Sequence, residues 1–161
     1  METIYVAGGC LWGVEAFFST IPGVISTEAG RANGSSLDLQ GDYDGYVECV
    51  KVDFNQHKLT VFDVITYLFE IIDPYSINRQ GNDVGRKYRT GIYSLVNQHL
   101  IEARQFINQR QDRERIAVEV LPLSNYVKSS EEHQQHLKKC PEDIVMCHIH
   151  PELLYKYRYG D

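Results

Sequence analysis

No Cys-x-x-Cys pair occurs anywhere in the 161 residues, and the four cysteines, Cys10, Cys49, Cys140 and Cys147, lie one near the start and two near the end. That layout suits neither a dithiol redox motif nor the disulfide frame of a small secreted scaffold. Also missing is a basic stretch followed by an apolar run. Residues 1–6 alternate polar and apolar instead, so neither a signal peptide nor a membrane span is expected. Basic residues are in deficit, 16 Lys and Arg against 22 Asp and Glu, for a net charge of -6. This excludes a general nucleic-acid binder, because neutralising phosphates needs a cationic surplus on one face. No internal repeat is visible. The expectation is a cytoplasmic monomer with reduced thiols, whose value lies in redox chemistry, metal binding or packing.

What is present is ordinary globular composition, 43% hydrophobic and 24% charged, over a length that suits one domain, residues 1–161. Residues 3–7 read as a strand, Gly8-Gly9 break it, and residues 11–19 have helical apolar spacing. Residues 24–32 and 46–54 alternate as strands, joined by a Gly-, Ser- and Asp-rich connection over 33–44. A buried helix is predicted over 59–72, with Thr60 as N-cap and Asp73-Pro74 as the stop. Residues 78–86 form a polar loop. After it come a strand over 88–95, a helix over 97–113, a strand over 116–121 and a helix over 129–139 capped by Ser129 or Ser130. Beyond Pro141 the tail reads as irregular and is rich in Cys, His and Tyr. The order predicts an α/β (α+β) fold: a mixed sheet with packed helices, built on a ferredoxin-like split βαβ core with extra elements.

Several residues stand where chemistry is possible. Cys10 follows two glycines at a strand-to-helix junction, where free N–H groups and the helix dipole favour a thiolate, and Trp12 can wall a small alkyl group. The alternative is a buried, inert cysteine. Glu48 points away from Val47 and Cys49, and partial burial of such an acid raises its pKa toward proton donation at neutral pH; the alternative is a solvated strand residue. The loop Asn78-Arg79-Gln80-Gly81-Asn82-Asp83-Val84-Gly85 precedes Tyr88, whose phenol can donate to a substrate oxygen, although such a loop can equally serve only itself. A rival constellation lies in the tail, where His133, His136, Cys140, Cys147, His148 and His150 are all possible zinc ligands.

Gly9-Cys10-Leu11-Trp12-Gly13 resembles the Gly-Cys-Phe-Trp-Gly motif of the A-class peptide methionine sulfoxide reductases. Gly45-Tyr46-Val47-Glu48 is similar to that family's Gly-His-Ala-Glu, and the 78–85 loop followed by Tyr88-Arg89 matches closely. His133-Gln134 resembles its Tyr-His-Gln segment, and Cys147-His148-Ile149 its Gly-Tyr-Cys ending, so the matches run over most of the chain in family order. The resemblance implies that Cys10 attacks the sulfoxide sulfur, Glu48 protonates the oxygen, Tyr88 hydrogen-bonds it, Asp83 supports the polar side and Trp12 packs the methyl group. It also implies a sulfenic acid on Cys10 resolved by a second thiol, thioredoxin as reductant, no bound cofactor or metal, and selectivity for the S epimer. Two other readings stand beside it: a non-catalytic thiol redox sensor, and a zinc-binding interaction module built on the tail.

This sequence departs from the family at three places. Leu11 replaces phenylalanine in the expected methyl pocket. The family's Asn-Pro-Thr-Tyr segment, with its second tyrosine, has no counterpart in 34–44, leaving Tyr43 or Tyr46 to substitute. The tail reads Val145-Met146-Cys147 behind an apparent insertion at 141–144, so Cys147 is the expected resolving thiol and Cys140 the alternative or a relay.

Overall fold

A computed structural model describes residues 1–157. Its elements are β1 (Glu2–Gly8), α1 (Leu11–Phe18), β2 (Val24–Ala32), β3 (Val47–Phe54), α2 (Val61–Ile71), β4 (Arg79–Gln80), β5 (Asp83–Val84), β6 (Thr90–Ser94), α3 (Asn97–Asn108), β7 (Glu119–Pro122), β8 (Tyr126–Lys128), α4 (His136–Lys139) and α5 (Pro151–Leu154). Six strands make one sheet in the order β7-β6-β1-β3-β2-β8, and β4 and β5 pair separately. Within it, β6-β1-β3-β2 are antiparallel neighbours, with β3 inserted between the two strands that α1 connects. This is the split βαβ core expected from the order of elements. To it β7 is added in parallel beside β6, and β8 antiparallel beside β2.

The period-two alternation of the central strands divides the apolar residues between two faces. Ile4, Val6, Val50, Val52 and Phe54 pack with Phe17 and Phe18 of α1 and with Val64, Ile65 and Leu68 of α2. Burial of each of these phenylalanines contributes about 1.5–3 kcal/mol. On the other face Tyr5, Ala7, Val47, Cys49 and Tyr93 form a smaller cluster against Leu123 and Tyr126. Glu48 therefore lies on the α1 side, as the alternation predicts. The start of α2 is also as predicted: Thr60 Oγ1 accepts from the Asp63 N–H at 3.1 Å while Asp63 accepts from the Thr60 N–H at 2.8 Å.

Other expectations need correction. Residues 129–139 are not one helix: a 3-10 turn, Glu131–His133, is followed by a left-handed Gln135 at φ 54° before α4 begins. Side chains explain the break. Gln134 is buried and mimics a strand neighbour, accepting from the Ala29 N–H at 2.8 Å and donating to the carbonyls of Ala29 and Ser129 at 2.8 and 2.9 Å. The next residue, Gln135, donates its N–H to the buried carboxylate of Glu15 at 2.7 Å. These bonds outcompete a helical ladder, and Ser130 makes no capping bond. Tyr88 ends a 3-10 turn, Arg86–Tyr88, instead of starting a strand, and the helix predicted to residue 113 stops at Asn108. β8 lies in a stretch given no element by the sequence reading. The tail, expected to be irregular, holds a 3-10 turn, Pro141–Met146, and the short α5. Among the described residues no helix is long and apolar enough to cross a membrane.

Candidate active site

The turn before Cys10 needs its glycine. Gly9 has φ 93°, and a Cβ there would stand 2.7 Å from Cβ of Gln80 and 2.9 Å from the His148 ring. Gln80 is buried because its amide closes on the backbone of Asp73, accepting from its N–H and donating to its carbonyl, both at 2.8 Å. The end of α2, the β4–β5 hairpin and the tail thus meet behind this turn, which delivers Cys10 as the N-cap of α1.

Cys10, Leu11, Trp12, Glu48, Asp83 and Tyr88 all line one cavity of about 250 Å³. The structure therefore brings together the residues expected to act on the sulfoxide and to line its methyl pocket, while Cys140 and Cys147 lie outside this lining. Glu48 is anchored by the first free donor of the helix, accepting from the Leu11 N–H at 3.2 Å. Burial raises its carboxyl above the ordinary range, and the Leu11 N–H opposes that rise. Burial and then the Glu48 charge push the Cys10 thiol up to about 12, with the Trp12 backbone N–H opposing them. Two features oppose the thiolate that the helix start favours: Glu48 takes the Leu11 N–H at the same helix end, and burial disfavours the charged sulfur. Tyr88 is also raised, by burial and by Glu48, so its phenol keeps the proton it needs to donate.

Sequence reasoning missed Arg31, Lys87 and Met146, which line the same cavity, as does His133, read from the sequence as a possible zinc ligand. Arg31 is the direct cross-strand partner of Glu48, a relation visible only once the register of β2 on β3 is known. Of the two tyrosines left open, Tyr46 lines the cavity, with the Arg31 guanidinium 4.3 Å from its ring centroid. Tyr43 buttresses it, donating its hydroxyl to the Tyr46 carbonyl at 2.7 Å. Cys49 is buried on the opposite face of the sheet.

Trp12 is held by the tail. Its Nε1–H donates to Nδ1 of His133 at 3.0 Å, and its ring stacks on His136 at 3.7 Å between centroids and 12° between planes. The two candidate resolving thiols part company. Cys140 caps the end of α4, whereas Cys147 packs against Gly13, one turn along α1 from Cys10, where burial raises its thiol. A Cβ at Gly13 would lie 2.1 Å from Cys147 Sγ. Gly13→Ala is therefore expected to displace Cys147 and lower stability by about 1–3 kcal/mol, read by thermal unfolding. Peptide-level alkylation should show Cys147 reacting faster than in the wild type. The proposed zinc constellation does not assemble. His133 serves Trp12, His148 lies behind Gly9 and His150 caps α5; among the described residues, His136 and Cys140 come within ligand distance of a third donor, Asp143, which the sequence reading did not consider.

Comparison with known proteins identifies the family. Residues 2–158 match the family model of peptide methionine sulfoxide reductase. The peptide methionine sulfoxide reductase MsrA of Clostridium acetobutylicum is 39% identical over 165 aligned positions, covering 98% of this chain and 100% of its own. Among solved structures, methionine sulfoxide reductase A of Corynebacterium diphtheriae is similar at TM-score 0.78 and 32% identity, covering 87% of this chain and 75% of its own. Mxr1 of Saccharomyces cerevisiae in its reduced form is similar at TM-score 0.80 and 26% identity, covering 88% of this chain and 86% of its own. Matched over nearly its whole length by family model, sequence and structure, the chain belongs to the A-class peptide methionine sulfoxide reductases, thiol-dependent oxidoreductases that return methionine sulfoxide to methionine.

Proposed function

We propose that Cys10 is the nucleophile, within a single reductase domain, for methionine (S)-sulfoxide carried in proteins or peptides. The observation that carries this reading is the Glu48 carboxyl, fixed on the Leu11 N–H beside Cys10 in a cavity that also holds Tyr88 and Asp83. A sulfoxide sulfur is a poor electrophile until its oxygen is hydrogen-bonded and protonated. In the resting pair the thiol carries the proton; when the sulfoxide oxygen settles between Glu48 and the phenols of Tyr88 and Tyr46, that proton passes through Glu48 to the oxygen. The Cys10 sulfur attacks, the sulfur–oxygen bond of the substrate breaks, and oxygen ends on Cys10 as a sulfenic acid while methionine leaves. Asp83 orders the polar side. Trp12 and Leu11 face the methyl group, and fixing oxygen and methyl on opposite walls selects one epimer.

Cys147 then attacks the Cys10 sulfenic sulfur, a disulfide forms and water leaves. A dithiol reductant of the thioredoxin type closes the cycle, with no bound cofactor, in a cytoplasmic monomer. The position of Cys147 on Gly13 supports it over Cys140. The redox-sensor reading fits less well, since sensor cysteines combine low pKa with exposure and Cys10 has a raised pKa. The test is rapid-quench methionine release from a sulfoxide-containing peptide. Cys147→Ser is expected to release about one equivalent in the first turnover, then to stall with thioredoxin. Full recycling by that variant overturns Cys147 as the resolving thiol, and no release by the wild type overturns the reaction itself.

A further inference from the structure

Three donors that the chemistry at Cys10 does not use converge on the far side of Trp12. A ring nitrogen of His136, Sγ of Cys140 and a carboxylate oxygen of Asp143 all lie within 4.8 Å of one another. They come from one short stretch: His136 opens α4, Cys140 ends it, and the Asp143 N–H donates back to the Cys140 carbonyl at 3.0 Å. The imidazole is already oriented as a ligand. Its Nδ1 faces the Glu132 carbonyl at 2.9 Å, which turns Nε2 toward Asp143 Oδ2 at 2.7 Å. A ligating histidine is commonly held in this way, with the second nitrogen on a backbone carbonyl. The Trp12 ring, stacked on His136, fixes the plane of the imidazole as well.

We propose that His136, Cys140 and Asp143 form a binding site for a thiophilic divalent cation of the zinc class, with solvent in the fourth position. One nitrogen, one sulfur and one oxygen donor suit a tetrahedral ion of this kind and do not suit magnesium or calcium, which take oxygen ligands. All three residues are partly buried, so the ion is reached from solvent yet held against the fold. Binding keeps Cys140 as a metal thiolate and withdraws it from thiol exchange, leaving Cys147 to serve Cys10. It also clamps α4 against Trp12, so the ion is coupled to a wall of the reaction cavity without entering it.

The test uses the full chain with its thiols reduced, titrated with Co2+ for its thiolate charge-transfer absorption and with Zn2+ by calorimetry. Trp12, the one tryptophan, supplies an independent emission signal. Wild type and Cys147→Ser are expected to bind about one ion with like affinity, with a change in Trp12 emission, while Cys140→Ser and Asp143→Asn bind more than about tenfold more weakly. Thermal unfolding of the metal-free variants controls for folding. Three outcomes overturn the site: no ion on the reduced wild type, undiminished binding by Cys140→Ser, or loss of binding in Cys147→Ser, which would place the ion at the reaction thiols.

Discussion

Replacing Cys10 by serine is expected to lower methionine release by at least about 10^4-fold, without loss of stability. The chemical step needs a soft sulfur nucleophile that can accept the sulfoxide oxygen, and an alcohol supplies neither the nucleophilicity nor a sulfenic acid. Cys10 sits at the N-cap of α1 with an extended backbone, φ -60° and ψ 123°, and makes no capping bond. Serine is among the preferred N-caps, its oxygen accepting from an N–H of the first turn. The variant should therefore melt no lower than the wild type, which separates lost chemistry from lost structure. Single-turnover release followed by chromatography, with melting measured on the same preparation, makes the check. Release near the wild-type rate would remove Cys10 from the reaction.

The parts of this molecule legible in the sequence are those in which one local rule acted alone. The alternation in β3 set the facing of Glu48, and Thr60 caps α2 as predicted, with Asp63 closing a capping box around it. What was not legible depended on partners far away in the chain. Residues 129–139 keep helical spacing, yet Gln134 finds Ala29, 105 positions away, and Gln135 finds Glu15, 120 positions away. Those two anchors break the helix and set His133 and His136 against Trp12. The Cys10 thiol shows the same limit. A helix start read alone favours a thiolate, but the Leu11 N–H is engaged by Glu48, so the nearest strong charge is negative. Asp143 was overlooked because in sequence it is only one more surface acid. It acquires meaning from the turn that brings it to His136 and Cys140.

Glu48→Gln is expected to slow the reaction by about 10^2–10^4-fold and to change the shape of its pH profile. In the wild type, burial raises Glu48, and burial with the Glu48 charge pushes Cys10 up to about 12, so the carboxyl ionises first and the thiol resists ionising beside it. The pair then keeps a single proton from the raised Glu48 pKa up to the Cys10 value, and that proton yields thiolate and acid together once the sulfoxide binds. Across this window kcat/KM should be flat, falling about tenfold per pH unit only below the Glu48 pKa, where a second proton enters. Glutamine keeps an oxygen for the Leu11 N–H but carries neither proton nor charge. With the repulsive charge gone, Cys10 titrates lower than in the wild type, and activity should climb about tenfold per unit through the neutral range as thiolate forms. Alkylation of Cys10 at neutral pH, followed at peptide level, should accelerate in the variant while catalysis slows. A merely damaged fold does not move these two rates in opposite directions. Parallel pH profiles for the two proteins, or slower alkylation in the variant, would show that Glu48 neither supplies the proton nor holds the Cys10 thiol up.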